Sequence, residues 1–154
     1  MVSNKSCGGL IFKMKELSKE HYDFSCCLIK YDREIIFLDK LVYDKDSLVD
    51  IDHSVVPLCW DHKHNDPEKV IGKVLLEDRE DGVYVYGTLF DNAAKFDVRR
   101  LIEAKTIYIS PYLNQVKIKN HHLTYGKVRE VSLVLSRIDP DECYRPVWNG
   151  MEEN

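Results

Sequence analysis

The chain has 154 residues, of which 44% are hydrophobic and 31% are charged. This length is typical of one domain with a single core, and the balance excludes wholesale disorder. The net charge of −4 comes from 22 basic and 26 acidic residues spread along the chain. Lys and Arg are not concentrated as a phosphate-binding face would require, so we expect no nucleic-acid partner. No apolar run approaches the roughly 20 residues of a membrane helix, and residues 1–5 lead into no apolar signal core. We therefore expect a single domain over residues 1–154, located in the cytoplasm, with neither nucleic acid nor a membrane as partner.

Five cysteines form an odd set, and two of them, Cys26 and Cys27, are adjacent. This is a poor arrangement for a disulfide framework and fits a reducing compartment. We predict that the thiols are small, mostly buried hydrophobic groups.

The N-terminal half predicts short strands, because apolar and β-branched residues alternate there between turn residues. The predicted elements are an edge strand at Leu10–Phe12, strands at Tyr22–Lys30 and Ile35–Leu38 around an Asp32–Glu34 turn, a loop with a short helix over Asp39–Asp52, and a strand at Val55–Trp60. Pro57 is tolerable only near an edge or the start of its strand.

The clearest local structure is a hairpin of Val70–Leu76 and Val83–Leu89, whose connection ends in Asp81-Gly82. Asp-Gly is strong turn chemistry. A helix capped by Asp91 is predicted to follow and to run to about Lys105, because apolar residues recur at helical spacing.

The C-terminal half predicts further strands of the antiparallel type, so the fold class is mixed and β-dominated (α+β). The predicted strands are Thr106–Leu113, Val116–Lys119, Leu123–Tyr125 and Val128–Leu135. Pro111 interrupts the first of them and marks an edge, bulge or strand end. We therefore expect Ser110 at the end of a strand, where the chain turns.

Ser110 is a candidate nucleophile. A serine hydroxyl attacks only when a base accepts its proton and another group orients that base. The alternative is that Ser110 only forms a hydrogen bond to its own backbone.

His62 and His64 are candidates for the base. They alternate around Lys63 and face the same side if the segment is extended. One alternative is a solvent-facing polar loop. Another is a zinc site of the form Cys59-x-x-His62-x-His64 completed by His121 or His122, although the second Cys pair of a structural zinc site is missing.

Glu130 is the candidate that orients the base, because it begins an apolar strand in which a carboxylate needs a partner. It would accept the imidazole N–H and stabilise the imidazolium. Ser132 projects to the same side and could support it. The alternative is a surface ion pair with Arg129 or Lys127, in which case Asp61, His121 and His122 are the next candidates.

These segments occur in the order found in one family of proteins. The matching stretches are Trp60-Asp61-His62, Ile71-Gly72-Lys73-Val74, Asp81-Gly82-Val83-Tyr84-Val85, Ile109-Ser110 and Glu130-Val131-Ser132-Leu133-Val134. From about Val55 to Pro140 the chain resembles the tailed-phage prohead maturation proteases, which are distantly similar to the herpesvirus assemblin proteases. The resemblance implies a compact antiparallel β-barrel-like core with flanking helices.

The resemblance also implies a serine endopeptidase with His62 as base, Ser110 as nucleophile and Glu130 as third member, and no cofactor or metal. Its expected partner is the major capsid protein or its scaffolding segment, cleaved inside the procapsid in the bacterial host, together with self-association and cleavage of the protease itself. The rival expectation is a non-catalytic or latent capsid-assembly factor on the same fold.

The chain departs from the family pattern after the serine, because Pro111 has no N–H and cannot donate to an oxyanion. We expect another donor, such as a backbone amide or a water near Arg99 or Arg100.

Overall fold

A computed structural model describes residues 21–35, 41–137 and 139–150. Its strands are β1 Phe24–Lys30, β2 Glu34–Ile35, β3 Leu41–Tyr43, β4 Val55–Trp60, β5 Val70–Arg79, β6 Gly82–Leu89, β7 Tyr108–Lys119, β8 His122–Val134 and β9 Val147–Trp148. Within these ranges the helix α1 spans Val98–Glu103, and 3₁₀ turns span Pro67–Lys69, Asp91–Phe96 and Glu142–Tyr144. The predicted β-dominated α+β class is confirmed. The predicted strand at Leu10–Phe12, and the part of Ile35–Leu38 beyond Ile35, lie outside the described residues.

All of these strands belong to one curled, half-barrel sheet. The order is β2-β3-β8-β4-β5-β6-β1-β9, and β7 pairs with the other side of β8. Most neighbours are antiparallel, but β3 and β4 both run parallel to β8. The sheet is therefore mixed around β8, where the sequence indicated antiparallel strands throughout.

The inner face of the sheet holds the core. Fully buried side chains from most strands and from α1 meet there: Phe24, Leu28, Leu58, Ile71, Val74, Val83, Ile102, Ile109 and Leu133. The four cysteines within the described ranges are free, and three of them are buried, as predicted. Within those ranges, no helix is long and apolar enough to cross a bilayer.

A side chain joins β1 to β7, which are not neighbours in the hydrogen-bonded ladder. Nη1 of Arg137 donates to the carbonyl oxygens of Leu28, at 3.0 Å, and of Ile109, at 2.7 Å. Its guanidinium carbon lies 3.5 Å from the ring centroid of the buried Tyr144. Arg137 thus links the two strands across the gap in the barrel.

The predicted β5–β6 hairpin is confirmed, but its glycine acts differently from the prediction. Gly82 does not have a positive φ, so the turn does not require it. A Cβ at Gly82 would lie 2.0 Å from the Ile29 carbonyl oxygen. Gly82 is therefore needed for the close approach of β1, as is common for glycine inside strands.

The prediction of one continuous helix capped by Asp91 was wrong. Residues 91–96 form a 3₁₀ turn whose cap is Phe90, without a side-chain cap bond. Asp97 is then left-handed (φ 53°) and separates this turn from α1. One left-handed residue ends a helical run, because the next carbonyls no longer point along the same axis.

The prediction that Ser110 ends a strand was also wrong. β7 continues through Pro111 to Lys119 and forms one long hairpin with β8, turning at Asn120 and His121. Among the described residues only β8 pairs with β7, so Pro111 sits in an edge strand, where a missing N–H is tolerated.

The region before β4 contains a strand that the sequence did not indicate. β3 lies where a loop with a short helix was predicted, and Val42 and Tyr43 pair with the start of β8. β4 has the predicted bounds. Its parallel pairing with β8 begins at Leu58, one residue after Pro57, so Pro57 precedes the ladder on that side.

Candidate active site

Three neighbouring strands bring the predicted residues together. β8 lies between β4 and β7, and Ser132 is opposite both Cys59 on β4 and Ser110 on β7. Glu130 lies two residues before Ser132 and projects to the same side, because side chains alternate along a strand. The site is therefore built on regular strands, apart from the segment that carries His62.

That segment leaves β4 in an unusual backbone conformation. Asp61 and His62 are both left-handed, with φ of 53° and 58°. Two hydrogen bonds hold them: Asp61 N donates to the Leu133 carbonyl at 3.0 Å, and His62 N donates to Ser132 Oγ at 2.8 Å. Left-handed non-glycine residues are uncommon and persist where surrounding contacts enforce them. This turn folds the imidazole back over β8.

His62 bridges Ser110 and Glu130. Its Nδ1 lies 3.0 Å from Glu130 Oε1, and its Nε2 lies 3.3 Å from Ser110 Oγ. When Glu130 is ionised it only accepts hydrogen bonds, so a neutral His62 then carries its hydrogen on Nδ1 and presents the Nε2 lone pair to the serine. The 3.3 Å distance is long for a hydrogen bond but common for a base and nucleophile without substrate.

Glu130 is 3% exposed, and each oxygen of its carboxylate has a hydrogen-bond partner. Ser132 Oγ donates to Glu130 Oε2 at 3.1 Å, while the same hydroxyl accepts from His62 N. Within the described residues, no ion pair joins Glu130 to Arg129 or Lys127. The buried carboxylate is therefore held by its hydrogen bonds, as a buried charge requires, and the surface-pair alternative does not describe it.

His64 approaches the same carboxylate from outside. Its Nδ1 lies 3.8 Å from Glu130 Oε1, and its ring stacks on Tyr112 at 5.2 Å between centroids. Among the described histidines, only His62 lies within hydrogen-bond distance of Ser110 Oγ. Of the two candidate bases, His62 is thus the one placed between the serine and the carboxylate.

The structure does not bring His122 to the other residues of the predicted zinc site. His122 begins β8 and pairs with Asp44. Glu130 lies eight positions further along the same strand, about 26 Å away at 3.3 Å per residue. Burial and the neighbouring Glu130 raise the pKa of Cys59 to about 12, which makes it more costly for a metal ion to displace the thiol proton. Over the described ranges, no group of three His, Cys, Asp or Glu side chains is arranged to hold a metal ion.

Ser110 and His62 open into a cleft of about 340 Å³. Its lining residues are Trp60, Asp61, His62, Ser110, Leu133, Val134, Leu135, Ser136 and Arg137. Arg99 and Arg100 do not line it: Arg99 lies over the Trp148 ring and Arg100 pairs with Asp97. Of the two expected kinds of oxyanion donor, a water near Arg99 or Arg100 therefore has no support from the lining of this cleft, and a backbone amide stays a prediction.

The segment Leu135–Arg137 is the part of the cleft that sequence reasoning missed. It follows the last residue of β8, Val134, which is opposite Tyr108 on β7, the strand that carries Ser110. A segment of three residues after a strand has no hydrophobic periodicity from which its role could be predicted. The signal that could have identified it is its position directly after the Glu-Val-Ser-Leu-Val strand.

No protein-family model matches the chain, and no curated protein matches it.

Proposed function

We propose that this protein is a serine endopeptidase. The observation that carries the proposal is the His62 imidazole, which lies between the Ser110 hydroxyl and the buried Glu130 carboxylate. Nucleophile, base and orienting acid within hydrogen-bond reach of one another are the arrangement that acyl transfer by serine requires. They come from parts of the chain 48 and 68 residues apart.

Each side chain has one role in the proposed reaction. Ser110 Oγ attacks the carbonyl carbon of the scissile peptide as its proton passes to His62 Nε2, and the carbonyl electron pair moves to the oxygen. The C–N bond then breaks, and the leaving amine takes the proton from Nε2. Water repeats the sequence on the acyl-enzyme and returns the proton to Ser110. Glu130 holds the ring and offsets the imidazolium charge in both steps.

The oxyanion needs donors other than the residue after the serine, because Pro111 has no N–H. The backbone amides of Leu135–Arg137 are the candidates, since this segment lines the cleft beside Ser110. Backbone donors aimed at a developing oxyanion contribute up to about 10²–10³-fold each.

The resemblance in motif order supports a particular substrate. In this proposal the protease cleaves the scaffolding segment of a phage major capsid protein, and also itself, within the procapsid in the cytoplasm of the bacterial host. Confinement inside a shell raises the effective concentration of substrate, so a shallow cleft suffices. The second candidate is a latent assembly factor on the same fold; the 3.3 Å separation of Ser110 Oγ from His62 Nε2 favours the catalytic alternative.

Ser110→Ala tests the proposal. Removing the nucleophile should reduce cleavage of a coexpressed capsid precursor by about 10⁶-fold, while the free energy of unfolding changes by less than about 1 kcal/mol because one hydroxyl is lost. Cleavage is followed on gels and stability by thermal melting. Ser54→Ala, a hydroxyl deletion remote from the cleft, is the control and should process normally. Full processing by folded Ser110→Ala protein would reject the mechanism.

A further inference from the structure

A second and larger cleft lies on the outer face of β1 and β6. Its volume is about 490 Å³, and the C-terminal segment 142–147 forms one wall. The charged residues among its lining are Lys30, Arg79, Lys105, Glu142 and Arg145. Four of these five are basic, although the chain as a whole is acidic.

Two of the four basic groups already have carboxylate partners. Lys30 Nζ lies 2.8 Å from Asp81 Oδ2, and Arg79 Nε lies 2.7 Å from Glu77 Oε1. Lys105 makes no ion pair with any described residue, and neither does Arg145. The unpaired positive charge of the cleft therefore resides on these two residues.

Arg145 is the more constrained of the two. Its Nη2 donates to the Tyr108 hydroxyl at 2.9 Å, and its guanidinium lies 4.8 Å from the centre of the Tyr108 ring. Its Nε is buried and has no hydrogen-bond partner in the described part of the chain. A half-buried guanidinium with neither a counter-ion nor a full set of acceptors is costly. A carboxylate binding there would supply both.

Tyr108 connects this cleft to the candidate nucleophile. It lies two residues before Ser110 on the same face of β7, about 7 Å away along the strand. A substrate bound in extended form past Ser110 would therefore bring a residue about three or four positions from its scissile bond to Arg145 and Lys105.

We infer that the cleft lined by Arg145 and Lys105 is a subsite for an acidic side chain of the substrate. The inference rests on the proposed function and narrows its substrates to segments that carry Asp or Glu near the scissile bond. Glu142 opposes such a ligand, because it is the one carboxylate among the lining residues. Its repulsion sets a lower affinity than the basic residues alone would give.

Binding can be measured apart from cleavage. Folded Ser110→Ala protein is titrated into two fluorescein-labelled, Ala-rich dodecapeptides that differ only in carrying a Glu-Glu or a Gln-Gln pair, and anisotropy is read at low salt. We expect the Glu peptide to bind about tenfold more tightly, the usual worth of one charge-assisted hydrogen bond. Lys105→Glu and Arg145→Gln should abolish this preference, and Glu142→Gln should increase it.

Lys119→Glu, a charge reversal at the tip of the β7–β8 hairpin, controls for net charge and should keep the preference. Lys105 is exposed, so Lys105→Glu decides the question even if Arg145→Gln does not fold. Equal affinity for the two peptides, or an equal loss in Lys119→Glu and Lys105→Glu, would overturn the inference. Absence of proteolysis by the wild-type protein would instead reject the proposed function and leave the binding result unaffected.

Discussion

The two long hairpins of the sheet differ in regularity. β5 and β6 pair without interruption from Gly72 opposite Leu89 to Arg79 opposite Gly82. β7 and β8 pair over a longer stretch, but their register shifts at three places. The first hairpin lies between β4 and β1, whereas β7 is paired on one side only, within the described part of the chain.

The hairpins also differ in what they bury. β5 and β6 contribute apolar side chains such as Val74 and Leu76 to the core, whereas β8 buries Glu130 and Ser132 in addition to apolar residues such as Leu133. Burying a carboxylate offers no hydrophobic gain and is tolerated only with hydrogen-bond partners. The comparison teaches that both hairpins stabilise the core, while β7–β8 in addition gives up some stability to hold a polar arrangement.

Among the substitutions at the β7–β8 site, His62→Ala should lower the rate of the proposed cleavage most. No other side chain hydrogen-bonds Ser110 Oγ among the described residues, so loss of the base should lower kcat/KM by about 10²–10⁴-fold. His64→Ala is the matched control and should remain active. Initial rates of peptide or precursor cleavage give both values. The reverse pattern, with activity retained only in His62→Ala, would assign the base to His64.

Glu130→Gln should have the next largest effect. The amide has nearly the same shape but cannot offset the imidazolium, and its NH₂ group can favour the wrong tautomer of His62. We expect a folded protein whose kcat falls by about 10²-fold or more. Circular dichroism measures whether the variant is folded, and steady-state rates measure its kcat. Wild-type turnover in this variant would mean that the third member lies elsewhere, and Asp61 is the nearest remaining candidate.

Gly82→Ala probes the other hairpin. The new methyl group would meet the Ile29 carbonyl oxygen, and overpacking of this kind costs about 1–3 kcal/mol. Urea denaturation should show the lower stability, while kcat per folded molecule stays at the wild-type value. A marked fall in kcat at unchanged stability would contradict the division of roles between the hairpins.

Chelation should have the smallest effect. The proposed mechanism uses no Lewis acid, so EDTA should leave the cleavage rate unchanged, and elemental analysis of protein purified without added metal should find no stoichiometric zinc. One zinc ion per chain, together with loss of activity on chelation, would contradict the serine mechanism.

Local patterns in the sequence predicted the regular parts of this molecule. β4 and the β5–β6 hairpin follow from β-branched runs between turn residues, and the placement of Ser132 beside Glu130 follows from the two-residue period of a strand. These features depend on residues that are near one another in the chain, and a local sequence pattern contains information about such residues.

Features that depend on distant contacts were not predictable in the same way. β3 exists as a strand because β8 offers it a partner, and Pro111 fits within β7 because one edge of that strand is unpaired. The left-handed residues Asp61 and His62 are held by bonds to β8. Motif order could indicate that His62 meets Ser110, but not the turn that brings them together.

The Arg137 link has a consequence for the order in which the protein assembles. Arg137 binds the carbonyl of Leu28 on β1, which lies 109 residues before it in the chain, and the carbonyl of Ile109 on β7, the residue before Ser110. Contacts between such distant positions form late in folding, since the intervening chain must first lose its entropy. During synthesis, β4, β5 and β6 can pair before residue 137 leaves the ribosome. The strand that carries Ser110 therefore acquires this anchor only after most of the domain has been made, and the proposed protease activity would be delayed in the nascent chain.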